Sequence, residues 1–186
     1  MNVAEYAATE TLRNGASLQI RALLPSDRAE MLASIGRTSK ETLYRRFFAI
    51  KRTFTEREIE FYLNVDFVGH VALAAILSEG GRQVIVGGAR YFVVRPGCAE
   101  VGFAIDDAHQ RLGIGTYLIT HLIAIARASG LNELIAEVLS ENVPMLKLFQ
   151  RCGLAMTTQR DRDVISVRLT LPPTSGASDV WPLSNR

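Results

Sequence analysis

The sequence predicts one α/β domain, and three observations carry that expectation. A chain of 186 residues, 48% hydrophobic, is long enough to bury about two thirds of its unfolded surface in a single core. Segments with period-2 alternation are interleaved with segments of period 3.6. Between two of them lies Gln110-Arg111-Leu112-Gly113-Ile114-Gly115, a glycine-bearing junction from strand to helix.

In chain order, residues 1–16 lack a pattern and are expected to be a flexible leader. Ser17 to Leu23 reads as the first strand, and Pro25-Ser26-Asp27 as the entrance to a helix ending near Gly36. Thr38-x-x-Glu41 and Thr55-x-x-Glu58 have the spacing of capping boxes, each ahead of an apolar stripe, Leu43 with Phe47 and Ile59 with Leu63. His70 to Leu77 and Val84 to Val94 are rich in branched and aromatic residues and flank Ser78-Glu79-Gly80-Gly81-Arg82, a hairpin signal. Pro96-Gly97 turns the chain into Glu100-Val101-Gly102-Phe103-Ala104-Ile105, which alternates as a strand does. After the glycine loop, Ile114, Leu118, Leu122 and Ile125 recur at helical steps. Leu134 to Leu139 reads as a further strand, followed by Asn142 and a short helix containing Pro144. Leu154 to Gln159 and Val164 to Leu171 form a terminal hairpin around Arg160-Asp161-Arg162-Asp163. The domain is expected to span residues 17–171, with residues 172–186 a flexible tail in which Trp181 is the one side chain fit to dock.

Several classes are disfavoured. A net charge of +2, with basic and acidic residues interspersed, gives no nucleic-acid footprint. No apolar run approaches the ~20 residues a membrane-spanning helix needs, and Glu5 and Glu10 do not suit a signal peptide. Cys98 and Cys152 are two isolated thiols, which suits a reduced, cytoplasmic setting. His70, His109 and His121 have no metal-ligand spacing, so no metal is expected.

The glycine loop has the physical chemistry of an anion site. At a helix N-terminus the first amides lack intrahelical partners and the macrodipole is positive, while Gly113 and Gly115 have no Cβ to hold a phosphate away. A kinase-type P-loop is excluded, because Thr116 and Tyr117 follow where Lys-Ser/Thr would be required. A dinucleotide fingerprint lacks its third glycine, that position being Leu118, although Glu133 lies at a suitable distance for a ribose contact. A ligand-free structural turn remains open from these residues alone.

Gln-x-x-Gly-x-Gly after a strand, then a strand ending near Asn142, then Met145, Leu148, Phe149 and Gly153 at these offsets, closely resembles the GCN5-related N-acetyltransferases. The resemblance implies a mixed, mostly antiparallel sheet of six or seven strands flanked by helices. It implies acetyl-CoA as co-substrate, its pyrophosphate on Gln110, Arg111, Leu112, Gly113, Ile114, Gly115 and Thr116, and its pantetheine arm along Phe103, Ala104 and Ile105. Asn142 would help to seat it. Phe149 would lie beside it, where many members carry a tyrosine that protonates the leaving thiolate, and phenylalanine has no proton to give. Ser39, Tyr44-Arg45-Arg46-Phe47-Phe48, Val65-Asp66 and His70 to Ala75 are similar to the bacterial protein lysine acetyltransferases that modify acyl-CoA synthetases. Arg45 to Phe48 reads equally as a helix packing its aromatics while the arginines face water.

Acetyl transfer needs a neutral amine, and deprotonating a lysine of pKa ~10.4 at pH 7 costs about 4.6 kcal/mol. The resembling enzymes carry a general base in Ala-Glu-x-x-Phe, here Ala99-Glu100-Val101-Gly102-Phe103. Glu100 is expected to be partly desolvated among Val101, Phe103 and Ile105, which would strengthen it as a base. Asp106, Asp107 and His109 cluster at the strand end but read as turn and cap residues. The expected activity is acetyl transfer by direct attack in a ternary complex to the lysine of a partner protein, for example an acyl-CoA synthetase, by a monomer or homodimer. A small-molecule amine acetyltransferase and a non-catalytic acyl-CoA-binding regulator share the same loop.

Overall fold

The computed structural model describes residues 2–47 and 54–172. The side chain of Phe47, the residue Phe48 and the tail from residue 173 on, Trp181 included, lie outside the described residues. The described chain runs β1 (Ala7–Thr11), β2 (Ser17–Ala22), α1 (Arg28–Arg37), α2 (Lys40–Phe47), α3 (Glu56–Leu63), β3 (His70–Glu79), β4 (Arg82–Arg95), β5 (Cys98–Ile105), α4 (Ile114–Ala128), β6 (Glu133–Leu139), α5 (Val143–Gln150), β7 (Ala155–Asp161) and β8 (Val164–Thr170). The strands form one sheet in the order β1-β2-β3-β4-β5-β6-β8-β7, and every pairing is antiparallel except β5 with β6. That parallel pair is joined through α4, as a crossover connection requires.

The sheet has eight strands, one more than the upper end of the sequence expectation, and the extra strand comes from the expected leader. Ala7–Thr11 pairs in full with β2. Its own residues are too small and polar to announce a strand, and what holds it is tertiary. Leu12 beside it is buried. Tyr6 Oη and Glu10 Oε1 both bond to the His121 ring on α4, Glu10 at 3.0 Å, and Tyr117 Oη donates to the Thr11 carbonyl at 2.8 Å.

Two apolar layers sandwich the sheet. On one side Ile114, Leu118, Ile119, Leu122 and Ile125 of α4 pack with Phe149 of α5 on Val71, Leu73, Tyr91, Val101 and Phe103. On the other, Met31 of α1 and Ile59 and Leu63 of α3 cover Leu23, Ala72, Ala74, Ile76 and Ile85. β3 feeds both layers, which is why His70 to Leu77 is an unbroken buried run. The β3–β4 turn consists of Gly80 and Gly81, both at positive φ (56° and 79°), the requirement of a two-residue type I′ hairpin.

The Thr55/Glu58 capping box forms as predicted. The Thr38/Glu41 box does not, because Thr38 Oγ1 donates back to the Ser34 carbonyl at 2.9 Å. Ser39 takes over, its Oγ accepting from the Thr42 amide at 3.2 Å.

Candidate active site

β5 and β6 stay in register for only three pairs, Cys98–Glu133, Ala99–Leu134 and Glu100–Ile135. On its other edge β5 remains paired with β4 as far as Ile105–Gly87. From Val101 onward the β6-side edge of β5 therefore carries no strand among the described residues, and such an edge offers ladder donors and acceptors to an extended ligand. The parting begins at Glu100.

The glycine loop follows at the open end. Gly113 is the N-cap of α4 at φ 94°, with no side-chain cap, and among the described residues a Cβ placed on it would meet nothing within 4 Å. The amides of Gly113, Ile114 and Gly115 find no backbone acceptor among the described residues, whereas Thr116 donates to Gly113 O. Bare amides, a positive helix end and open space are what a phosphate requires. Gly115 corrects the sequence reading. Its missing Cβ makes room for Ile105 Cδ1 at 3.3 Å and Leu148 Cδ2 at 3.4 Å, so this glycine lets α4 approach β5 and α5. Glu133 is also corrected: it sits at the start of β6 opposite Cys98, at the far strand end from the loop, and is bound to Arg95 and Arg168. A ribose contact from there is excluded, and with it the dinucleotide alternative.

The acidic pair before the loop anchors the helices. Asp106, 3% exposed, caps the Ala108 amide at 3.2 Å and accepts from Arg37 Nε at 3.0 Å. Asp107 accepts from the Ser39 amide (2.7 Å), Ser39 Oγ (2.9 Å) and Thr42 Oγ1 (2.8 Å). Burial opposes the Asp107 charge, but these donors outweigh it and hold its carboxyl below the usual range. His109 bonds to Glu79 at 2.7 Å. Gln110 donates to Thr42 Oγ1 and to the Ile105 carbonyl, both at 3.3 Å, tying the loop to α2 and to the end of β5.

Glu100 is exposed, so the predicted desolvation is not met. The physical reason is the strand period: Val101 and Phe103 are buried on the α4 face, and Glu100, Gly102 and Ala104 share the other. Opposite Glu100 on β4 stands Phe92, and opposite Gly102 stands Arg90. Arg46 of α2 turns inward, contrary to the reading in which both arginines face water: a Cβ on Gly102 would overlap its guanidinium. A glycine inside a strand was the signal that another group approaches closely. Burial lowers the pKa of Arg46, with Tyr62 and Glu100 opposing, and burial together with the Arg46 charge pushes Arg90 down to about 10. Arg90 Nη1 donates to the Tyr62 carbonyl at 3.1 Å and meets His70 Nε2 at 3.2 Å. His70 is thereby kept neutral, its pKa lowered to about 4 by burial and by Arg90, and its lone pair is already engaged.

Two further predicted cofactor residues take structural positions. Phe149, 1% exposed, lies edge-on to Phe103 at 5.9 Å inside the core, so its side chain packs there. Asn142 is the N-cap of α5, its Oδ1 accepting from the Met145 amide at 3.3 Å. Among the described residues no group of three or more His, Cys, Asp or Glu side chains could hold a metal ion.

A mixed sheet that parts between two parallel strands, with bare helix-start amides at its open end, defines a class of protein that takes an extended, anion-bearing ligand edge-on to a strand. The sequence pattern of the acetyltransferase (GNAT) family matches residues 40–154, and the chain belongs to that family. It is 32% identical over 166 residues to acetyltransferase Pat of Mycolicibacterium smegmatis, covering 87% of this chain and 48% of that protein, so it spans about half the length of that relative. Acetyltransferase PA5475 of Pseudomonas aeruginosa is 30% identical over 155 residues, 83% of this chain and 82% of that one. The crystal structure of the GNAT domain of S. lividans PAT superposes with a TM-score of 0.80 at 29% identity, covering 89% of this chain and 97% of the domain.

Proposed function

We propose that the chain transfers the acetyl group of acetyl-CoA to the side-chain amine of a protein lysine by direct attack in a ternary complex, the new C–N bond replacing the C–S bond as CoA leaves as its thiolate, in a reducing, cytoplasmic setting. The observation that carries this reading is the parting of β5 from β6 after Glu100, which puts an exposed carboxylate where the unpaired edge of β5 begins. When bound, acetyl-CoA supplies the activated acyl group. The chain's own residues bind and orient it: the amides of Gly113, Ile114 and Gly115 hold the pyrophosphate, and the open edge of Val101 to Ile105 pairs with the amide-bearing arm. Gln110, Arg111, Leu112 and Thr116 complete the loop around that anion. Glu100 accepts the proton of the acceptor amine, directly or through water, since His70 has no free lone pair. Family membership and similarity to Pat support the chemistry, and the likeness to PAT supports a protein acceptor; an acyl-CoA synthetase is the acceptor that the resemblance of Ser39 to Phe48 and of Val65 to Ala75 suggests.

Incubation with labelled acetyl-CoA, a cell protein extract and a panel of free amines tests the acceptor. Label on protein lysines is expected. Efficient turnover of a free polyamine or aminoglycoside with no labelled protein would replace this reading with the small-molecule one.

Gly113→Val should weaken acetyl-CoA binding at least about tenfold, about 1.4 kcal/mol, because the branched side chain enters the open approach and cannot relax at φ 94°. The helix behind is held by Leu118, Leu122 and Ile125, all fully buried, so the domain should stay folded. Unchanged affinity by calorimetry in a folded variant would remove the pyrophosphate assignment. Asn142→Ala should cost about 1 kcal/mol of stability through the lost α5 cap, with a smaller effect on affinity. Thermal melts with and without acetyl-CoA separate the two.

A further inference from the structure

Of the seven large hydrophobic side chains exposed among the described residues, four crowd the Glu100 end of the sheet: Phe61 (55% exposed), Val68 (77%), Val93 and Val94. Their neighbourhood is set by the backbone. Val93 donates to the Gly69 carbonyl at 2.8 Å, which brings Val68 beside the end of β4, and His70 is in register with Phe92, itself opposite Glu100. Phe61 reaches this point from α3. Its ring stacks on Phe92 at 5.3 Å and 7°, and Phe92 stacks on His70 at 4.1 Å. Phe61 also lies 5.7 Å from the His70 ring, so the three rings form one cluster, with Phe61 over the Phe92–His70 pair and half in solvent, and the cross-strand partner of Phe92 is a carboxylate. Exposed apolar patches of this kind mark contact surfaces.

Charge says what the surface fits. The acid beside the cluster is Glu100, which attracts an ammonium group. One register step further along the same face lie the guanidiniums of Arg90 and, over Gly102, of Arg46, which repel one. On this face an ammonium is therefore favoured at Glu100 and disfavoured one step beyond it. An apolar track ending at a carboxylate matches a lysine, four methylenes tipped with an amine; the other acid at this rim, Asp66, is engaged by the Val68 and His70 amides.

Resting on the lysine reading above, we propose that this rim docks the acceptor protein: the lysine stem lies along the exposed side of the Phe61–Phe92 stack, with Val68 and Val94 flanking the segment that carries it. Phe61 is then a specificity residue, distinct from the acetyl-CoA loop.

The test uses a bisubstrate probe, CoA joined through an acetyl bridge to the side chain of a lysine within a peptide, compared with CoA alone by calorimetry. In the wild type the peptide arm should tighten binding about tenfold or more, the scale of an interface anchor. Phe61→Ala should abolish most of that gain while leaving CoA affinity unchanged, and Phe61→Leu should restore most of it. Because Phe61 is exposed, these variants should fold. In turnover, Phe61→Ala should raise KM for a lysine-bearing protein about tenfold with kcat nearly constant. A peptide arm that adds nothing in the wild type, or adds as much in Phe61→Ala, overturns the proposal. So does conversion of a dimer to a monomer by Phe61→Ala at unchanged KM, which would make the rim a contact between copies. If the probe binds through Phe61 yet no protein lysine is acetylated in extract, the transferase reading fails while the rim stands. If lysines are acetylated at the same KM by Phe61→Ala, the reverse holds.

Discussion

Replacing Glu100 with glutamine should leave acetyl-CoA binding intact and lower turnover at neutral pH by about 10² to 10⁴, the usual worth of a positioned general base. Glutamine keeps the size and polarity of the side chain, and Glu100 is exposed, so folding should be unaffected. The deficit should shrink as the solution approaches the lysine pKa of ~10.4, where free amine is abundant without help. Rates from pH 7 to pH 10 with a lysine-bearing acceptor check this. A wild-type rate at pH 7 would remove Glu100 from the mechanism, and an equal deficit at every pH would make it a group that orients the acceptor.

The second large effect is on stability in mild acid and comes from His70. Its imidazole is 7% exposed, accepts from Arg90 at Nε2 and donates to the Asn64 backbone, and its pKa falls from 6.5 in the unfolded chain to about 4 in the fold. Between those values the unfolded chain binds a proton that the folded one refuses. Stability is therefore complete above about pH 6.5 and lost as pH falls towards 4, by an amount on the order of 3 kcal/mol. Carboxylates such as Asp66, held low by the His70 and Val68 amides, and Asp107 titrate below this window. Urea midpoints at pH 7, 6, 5 and 4.5 should decline in the wild type and flatten in His70→Gln. An identical decline in both would assign the acid sensitivity to another group.

Most elements were legible because local chemistry decides them. The helix of Ile114, Leu118, Leu122 and Ile125, the Thr55/Glu58 capping box and the Gly80-Gly81 hairpin each follow from residues within one or two turns of chain, and the folded positions agree. Where local signals fell short, the deciding partner was distant in sequence. Ala7 to Thr11 becomes a strand through β2 and through the His121 ring, 111 residues beyond Glu10. Thr38 and Ser39 compete for one helix start, and Asp107 settles it by binding Ser39. The strand period of β5 did predict two faces, yet the identity of what covers each face was not readable, and so Glu100 was expected among apolar neighbours that in fact lie behind it.

By itself, then, the sequence determined the α/β class, the family through its Gln-x-x-Gly-x-Gly loop, and the order of nearly all its elements, since periodicity, caps and turn glycines act over a few residues. Only the tertiary structure decided where β5 parts from β6, that Gly115 serves packing while Gly113 stays open, that Phe149 is core, and that Arg46, Arg90 and the Phe61–Phe92 cluster gather around Glu100. Those are contacts between strands and helices tens of residues apart, set by burying two faces of one sheet at once; Gly102 marks locally that something approaches, and nothing local names the partner.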